Sequence, residues 1–431
     1  MMYYSLNHKV PKTSFENAVR KGLAPDRGLY FPETIQPLPK RFFDNFDQFS
    51  NHDIAFEVIK QFVGNEIPFE NLKQIIQETL NFDFPVVQIE ESISTLELFH
   101  GPTMAFKDVG ARFMARCLGY FNAKNEKEVT VLVATSGDTG GAVANGFLGV
   151  KGVNVVILYP SNKVSHVQEQ QLTTLGQNIT ALEVDGTFDD CQDMVKKAFI
   201  DQDLTTQMDL TSANSINVAR WLPQMFYFLF AFKQLKSNQK PIVFSVPSGN
   251  FGNICAGMVA QRLGFPFHHF IAANNSNNVV TRYLKTENYD PLPSIQTISN
   301  AMDVGNPSNF IRIQALYDND FNRLKSSLSA YCFTDQETKA AIDSIYKTTG
   351  YILDPHGAVG YLGCQSYLKD NPSSNTVFLE TAHPTKFLDV VQPIVSKTIG
   401  LPPQIKAVMD RQKKAIYISS YKELKAHLLN R

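Results

Sequence analysis

No stretch of this 431-residue chain approaches the ~20 apolar residues that a membrane helix needs, and the most apolar run, residues 225–232, reads as a buried helix. Charge of one sign is equally scarce. Forty Lys and Arg stand against 41 Asp and Glu, for a net charge of -1, with no long like-charge runs. That excludes the electrostatic footprint of a nucleic-acid partner or an anionic membrane surface. The five cysteines, 117, 191, 255, 332 and 364, are odd in number and form no C-x-x-C pair. Neither a disulfide framework nor a zinc site is indicated, no metal is expected, and a reducing, cytoplasmic setting is predicted. Residues 1–17 contain no apolar h-region, so no signal peptide is expected. There is no internal repeat and no low-complexity tract.

What is present suffices for a folded globular protein. Hydrophobic residues make up 43% and charged residues 19% of the chain, enough for several cores and not for disorder. The length suggests about two to three domains. Helical patterns at 15–21, 53–62 and 69–79, broken by the proline-rich 31–39, predict a helical cap. After Pro85 the rhythm becomes short β-branched runs, glycine turns and amphipathic stretches, the pattern of α/β units on parallel sheets. One predicted strand series is 129–134, 153–159 and 179–184; the other is 242–246, 267–272 and 376–379. Residues 278–309 carry prolines and little periodicity, so they are expected to cross a surface or line a cleft. Thr334 and Glu337 form a capping box for a helix to Lys347. No exposed heptad or edge pattern stands out, and a monomer and a dimer are both compatible with the sequence.

Chemistry concentrates in three segments. Pro247-Ser248-Gly249-Asn250-Phe251-Gly252-Asn253 follows a predicted strand and precedes a helical pattern. Its glycines let backbone N–H groups converge, and the helix end adds a positive dipole, so it can hold a phosphate without a basic side chain. An ordinary strand-to-helix turn is the simpler alternative. Neither the G-x-x-x-x-G-K-[ST] loop nor the G-x-G-x-x-G dinucleotide pattern occurs. The turn Thr135-Ser136-Gly137-Asp138-Thr139-Gly140 repeats the logic for a carboxylate, with Asp138 free to accept from a ligand hydroxyl or to act as a plain helix cap. Lys107 stands among Met104, Phe106 and Val109. An amine in apolar surroundings loses proton affinity and becomes a nucleophile able to form Schiff bases, although a lone lysine is more often a solvated surface group.

Taken in this order, Phe106-Lys107-Asp108, the Ser136-Gly137-x-Thr139-Gly140 turn and the Gly249-Asn250-x-Gly252-Asn253 turn resemble the fold type II family of pyridoxal-5'-phosphate enzymes. Segments 22–30, 100–108, 135–142, 214–220, 247–253 and 380–387 extend the resemblance over most of the chain to the threonine synthase family. Two departures are visible. Tyr4-Ser5-Leu6-Asn7 stands where that family usually has Ser-Thr-Arg, and Arg27 where glycine is usual.

The resemblance implies two parallel-sheet α/β domains with an N-terminal helical cap: a cap at 1–85, a large cofactor-binding domain at 86–125 and 240–400, a small domain at 126–239 and a C-terminal segment at 401–431. It implies that Lys107 holds pyridoxal 5'-phosphate covalently and then moves protons at the substrate's Cα. Gly249, Asn250, Phe251, Gly252 and Asn253 would receive the cofactor phosphate, and Asp138 its 3'-hydroxyl. Thr381 would meet the pyridine nitrogen with a neutral hydroxyl, leaving that nitrogen largely unprotonated. Ser136, Gly137 and Thr139 would lie near the substrate carboxylate, with Thr103 also in the substrate set. The implied substrate, O-phospho-L-homoserine, brings a second phosphate. Asn217, Arg220 and Gln224, at i, i+3 and i+7, share a helix face and with Asn214 and Ser215 are its candidate site; Arg112 is a second candidate. A snorkelling Arg220 is the bland alternative. The implied reaction is a β,γ-replacement giving L-threonine and phosphate. A related dehydratase or phospho-lyase, stopping at elimination and releasing 2-oxobutyrate, would use nearly the same residues. A silent binding module would not require Lys107. Because the chain begins almost directly at its cap, control by an S-adenosylmethionine effector is not expected.

Overall fold

The computed structural model describes residues 1–123, 128–236 and 240–430. The domain boundaries expected near 125 and 239 lie outside them. The larger sheet has the strand order Leu328–Cys332, Phe267–Asn274, Ile242–Pro247, Asn375–Glu380, Ile93–Glu97, Val86–Glu90. Its first five strands run parallel, and Val86–Glu90 closes the edge antiparallel. The second sheet, parallel throughout, has the order Ile416–Ile418, Ile179–Val184, Val153–Pro160, Val129–Ala134, Asp209–Ser212. Val129–Ala134, Ile242–Pro247 and Asn375–Glu380 are buried at every position, as parallel strands covered on both faces must be. These three strands feed the chemistry-bearing turns, so their carboxyl ends define the crevice where such folds bind ligands.

All six predicted strands form, each ending within two residues of its expected limit. Five further strands of the two sheets, Val86–Glu90, Ile93–Glu97, Asp209–Ser212, Leu328–Cys332 and Ile416–Ile418, escape pattern reading because they are short and, in four cases, mix polar or acidic residues into the run. The helix Asp335–Thr349 opens on the expected Thr334 and Glu337 capping box. Residues 278–309 begin with an unexpected helix, Val279–Thr286, and then wind irregularly to the 3-10 turn Asn300–Met302 at the crevice.

The N-terminal cap is only partly helical. Its helices Phe15–Lys21, Asn51–Val63 and Phe69–Thr79 are joined by a small antiparallel sheet in which Met2–Ser5 pairs with Thr13–Ser14 and Tyr30–Pro32. The two departures from the family pattern meet here. Ser5 Oγ donates to Asp26 Oδ1 at 2.6 Å and Asn7 Nδ2 to the Asp26 carbonyl at 2.9 Å, while Arg27 adopts φ +66°, the region in which glycine is least strained.

The expected buried helix is Met225–Leu235, whose residues 225–231 are essentially inaccessible. Phe228 meets Phe244 of the larger sheet edge-on at 5.0 Å, and Phe232 and Phe265 meet Phe46 at 5.5 and 5.6 Å, docking the cap onto this layer. Among the described residues no helix is long and apolar enough to cross a membrane.

Candidate active site

Lys107 is the first residue of the helix Lys107–Asn122, and the backbone before it is pinned to a distant part of the chain. Phe106 N–H donates to the Thr381 carbonyl at 2.9 Å, His383 N–H to the Met104 carbonyl at 3.1 Å, and Ala105 forms an antiparallel bridge with Ala382. Tyr227 OH donates to the Phe106 carbonyl from the buried aromatic helix. These bonds set the amine and the Thr381 hydroxyl in one wall. Lys107, Ser136, Thr139 and Thr381 line a single pocket, closed on another side by Asn214, Ser215, Arg220 and Gln224. Gly249, Asn250, Phe251, Gly252 and Asn253 complete it.

The Gly249 to Asn253 turn is held rigid from behind. Asn253 Nδ2 donates to the Pro247 carbonyl at 2.8 Å, Asn274 Nδ2 to the Ser248 carbonyl at 2.8 Å, and Asn309 N–H to the Asn250 carbonyl at 3.1 Å. Phe251 takes φ +61°, turning the chain into the helix Gly252–Arg262. A Cβ on Gly249 would lie 2.9 Å from the Ala301 carbonyl oxygen, so only glycine permits this close approach. Gly252 and Asn253, which open the helix, line the pocket, and a helix N-terminus there suits a phosphate, although Asn253 Oδ1 already accepts from the Ile254 N–H at 2.9 Å.

Asp138 stands behind the pocket wall. Its Oδ1 lies 2.7 Å from Lys386 Nζ and 2.9 Å from Gln168 Nε2. Gly137 makes the second contact possible: at φ +143° its absent Cβ would sit 2.5 Å from the Gln168 side chain. Burial pushes the Asp138 carboxyl up, but the ammonium charges of Lys386 and Lys107 outweigh it and hold it at about 2. Burial pushes the Lys107 amine down to about 8, with Asp138 opposing and Arg220 and Lys386 adding to the fall. Lys107 is therefore the weakly basic amine that nucleophilic chemistry needs.

Opposite it, Arg220 spends one Nη on the Ala213 carbonyl while its buried Nε has no partner. Gln224 Nε2 donates to the Arg220 carbonyl at 3.0 Å, and its Oε1 is likewise unpartnered. Burial lowers Arg220 to about 10, which leaves it cationic at neutral pH. A buried guanidinium with donor capacity to spare on the pocket wall is suited to an anionic ligand group, whereas the unpartnered Gln224 Oε1 is an acceptor and is not.

Five sequence-predicted residues stand outside the lining. Asn217 is the N-cap of the helix Val218–Trp221, accepting from Ala219 N–H and donating to the Val19 and Ser212 carbonyls, so the helical stripe reaches the pocket only through Arg220 and Gln224. Thr103 turns its hydroxyl and N–H to Asp108. Arg112 points at the cap, donating to Asn81 Oδ1 at 3.0 Å and to the Glu78 carbonyl. Gly137 and Asp138 act from behind the surface.

Pattern reading missed His356 and Asp303, which line the pocket, and Arg312, which lies buried behind it. His356 Nδ1 lies 2.6 Å from Asp354 Oδ1, and Ala301 N–H donates to His356 Nε2 at 3.2 Å, a pairing that puts the ring proton on Nδ1. Asp303 accepts from Thr297 and Asn275, and burial raises its carboxyl to about 6. Buried Arg312 donates to the Tyr30, Ser215 and Ile216 carbonyls, tying the cap to the Ser215 wall. Asp354-Pro355-His356 reads as a helix start and Arg312 as one polar residue in a short helix; neither signals a site without the fold.

Comparison with known proteins agrees with this geometry. The family model described as pyridoxal-phosphate dependent enzyme matches residues 93–381, threonine synthase N terminus matches 2–80, and threonine synthase, C-terminal matches 357–428. The chain is 42% identical to threonine synthase of Escherichia coli over 94% of both proteins, and 36% identical to that of Saccharomyces cerevisiae over 97% of this chain and 95% of the relative. It superposes on the crystal structure of the Escherichia coli enzyme with a TM-score of 0.94 at 39% identity over the full length of both chains. A pyridoxal-phosphate-bound threonine synthase from Brucella melitensis matches with a TM-score of 0.92 at 34% identity, covering 100% of this chain and 99% of that one. The chain belongs to the threonine synthase family of pyridoxal-phosphate-dependent lyases.

Proposed function

We propose that the protein converts O-phospho-L-homoserine and water into L-threonine and phosphate in the pocket around Lys107. The observation that carries this reading is the coexistence on one pocket of two features suited to anions: a backbone cradle at Gly249 to Asn253, and a separate wall carrying the buried, cationic Arg220 guanidinium. A single-phosphate ligand would leave one of them unused. The residues fit pyridoxal 5'-phosphate, which when bound supplies the electron sink that makes the substrate's Cα and Cβ protons removable. Lys107 would hold it covalently, the cradle N–H groups would take its phosphate, and Thr381 would bond the ring nitrogen with Phe106 N–H fixing the Thr381 backbone. Asp138, one layer back, supports the 3'-oxygen side. Lys107, once free, carries protons at the substrate's Cα, with a basicity suited to both giving and taking them. Arg220 and Gln224 grip the substrate phosphate, assisted by Asn214 and Ser215, while Ser136 and Thr139 orient its carboxylate.

The domain division proposed with this function is a cap at 1–85, a large domain at 86–125 and 240–400, a small domain at 126–239 and a C-terminal segment at 401–431. Sheet pairing supports the large and small units, while Ile416–Ile418 of the C-terminal segment joins the edge of the smaller domain's sheet and the helix Met225–Leu235 packs on the larger sheet. A cytoplasmic setting is part of the same reading, supported by five free cysteines, four of them buried.

The test is incubation of the purified protein and pyridoxal phosphate with O-phospho-L-homoserine, followed by amino-acid, oxo-acid and phosphate analysis. Threonine and phosphate in equal amounts are expected; 2-oxobutyrate in place of threonine would make the protein an eliminating lyase. The cradle has its own test. Gly252→Asp would set a carboxylate against the bound phosphate and a Cβ 3.3 Å from Ser215 Cβ. Cofactor affinity, measured by fluorescence titration, is expected to fall at least about tenfold, since a lost charge-assisted bond alone is worth roughly 1.5 to 3 kcal/mol. Unchanged affinity would place the phosphate elsewhere.

A further inference from the structure

Lys386 is a fully buried lysine in the Ala-His-Pro-Thr-Lys-Phe segment, on the 3-10 turn Pro384–Phe387 that follows the strand Asn375–Glu380. Its ammonium meets Asp138 Oδ1 at 2.7 Å and donates to the Thr103 carbonyl at 2.9 Å. Asp138 opens the helix Asp138–Phe147, and Thr103 lies just before Lys107. One side chain thus joins the three segments that carry Asp138, Lys107 and Thr381. A buried ammonium persists only where it is paired and hydrogen-bonded, so this placement is maintained against a desolvation cost.

We propose that Lys386 is a positioning residue for the catalytic amine: by neutralising and fixing Asp138, it keeps that carboxylate from pairing with Lys107 and so leaves Lys107 available as a nucleophile. The proposal rests on the reading of Lys107 as the cofactor-binding amine. The charged groups that face Lys107 are Asp138, Arg220 and Lys386; those that face Asp138 are Lys386 and Lys107, with Gln168 as its neutral donor. With Lys386 removed, Lys107 becomes the remaining cation before Asp138. Coulomb attraction in a site screened from water then ties the two together and raises the proton affinity of Lys107 above its present value of about 8. The loss of the Lys386 charge acts in the same direction.

The experiment measures the rate at which the full-length protein, stripped of cofactor, captures pyridoxal phosphate covalently as a function of pH, for the parent, Lys386→Met and Lys386→Arg. Lys386→Met is expected to move the midpoint up by at least about one pH unit, which at pH 7.5 lowers the capture rate about eightfold. Lys386→Arg keeps the charge and is expected to stay within about twofold of the parent. A folded Lys386→Met protein with an unmoved midpoint would overturn the proposal. If that variant does not fold, Asp138→Asn/Lys386→Met removes the stranded charge as well, and its midpoint should return to within about half a pH unit of the parent; a midpoint displaced upward by a full unit would overturn the proposal. Lys107→Ala run in parallel separates the two readings: covalent capture that survives it refutes the assignment of Lys107, whereas capture lost there with an unmoved Lys386→Met midpoint refutes only the role of Lys386.

Discussion

Lys107→Ala is expected to abolish threonine formation and covalent retention of the cofactor together, with a loss in kcat of at least about a thousandfold. Moving a proton at the reacting carbon is worth typically 10²–10⁴-fold, and loss of the anchoring amine adds to that. The nearest alternative amine does not substitute for it. Lys386 Nζ is fixed between Asp138 Oδ1 and the Thr103 carbonyl and lies outside the pocket lining. The fold should tolerate the change, because alanine is at home in the first turn of the helix Lys107–Asn122 and the bonds from Phe106, Ala105 and Met104 to 381–383 are all backbone. Absorbance of the bound cofactor, thermal melting and turnover measured side by side test this. Appreciable turnover in a folded variant without covalent cofactor would sink the assignment.

Arg220→Ala should leave covalent capture of the cofactor in place while kcat/KM for O-phospho-L-homoserine drops about ten- to more than a hundredfold, the equivalent of roughly 1.5 to 3 kcal/mol of charge-assisted hydrogen bonding. Part of the guanidinium is structural, since one Nη serves the Ala213 carbonyl, so some loss of melting temperature accompanies the change. The discriminating observation is selectivity. A slow side reaction with an amino acid that carries no phosphate should be little affected, because such a substrate has no second anionic end for the Arg220 guanidinium on the pocket wall to hold. Equal losses in both reactions would show that Arg220 merely supports the helix Val218–Trp221 and the wall it carries. Gln224→Leu offers an independent reading of the same wall. Its Oε1 has no partner to lose, but its Nε2 gives up the bond to the Arg220 carbonyl, so thermal melting is measured beside turnover and a loss confined to the phosphate-bearing substrate is the expected result.

The two classes of information separate along physical lines. Where a segment's fate is decided by its neighbours in the chain, the residues alone determined it: β-branched runs became the buried strands Val129–Ala134, Ile179–Val184 and Ile242–Pro247, and Thr334 with Glu337 opened a helix. The glycine turns after Val129–Ala134 and Ile242–Pro247 were legible for the same reason, since a strand-glycine-helix succession is local, and with Lys107 they carried the family resemblance. Contacts between distant segments were not legible. Nothing in Met104-Ala105-Phe106 announces that it pairs with 381–383, yet that pairing sets the amine beside Thr381. The i, i+3, i+7 spacing put Asn217 on the same face as Arg220, but a helix cap consumes its side chain and a 3-10 turn at Leu222–Gln224 resets the register behind it. Lys386 and His356 gained their places from partners far away in sequence or from a loop folded over them, Asp138 in the one case and Ala301 in the other. Local propensity and spacing specify which backbone a segment adopts; which charge faces which is settled only when burial removes water and each polar group must find its partner inside the fold.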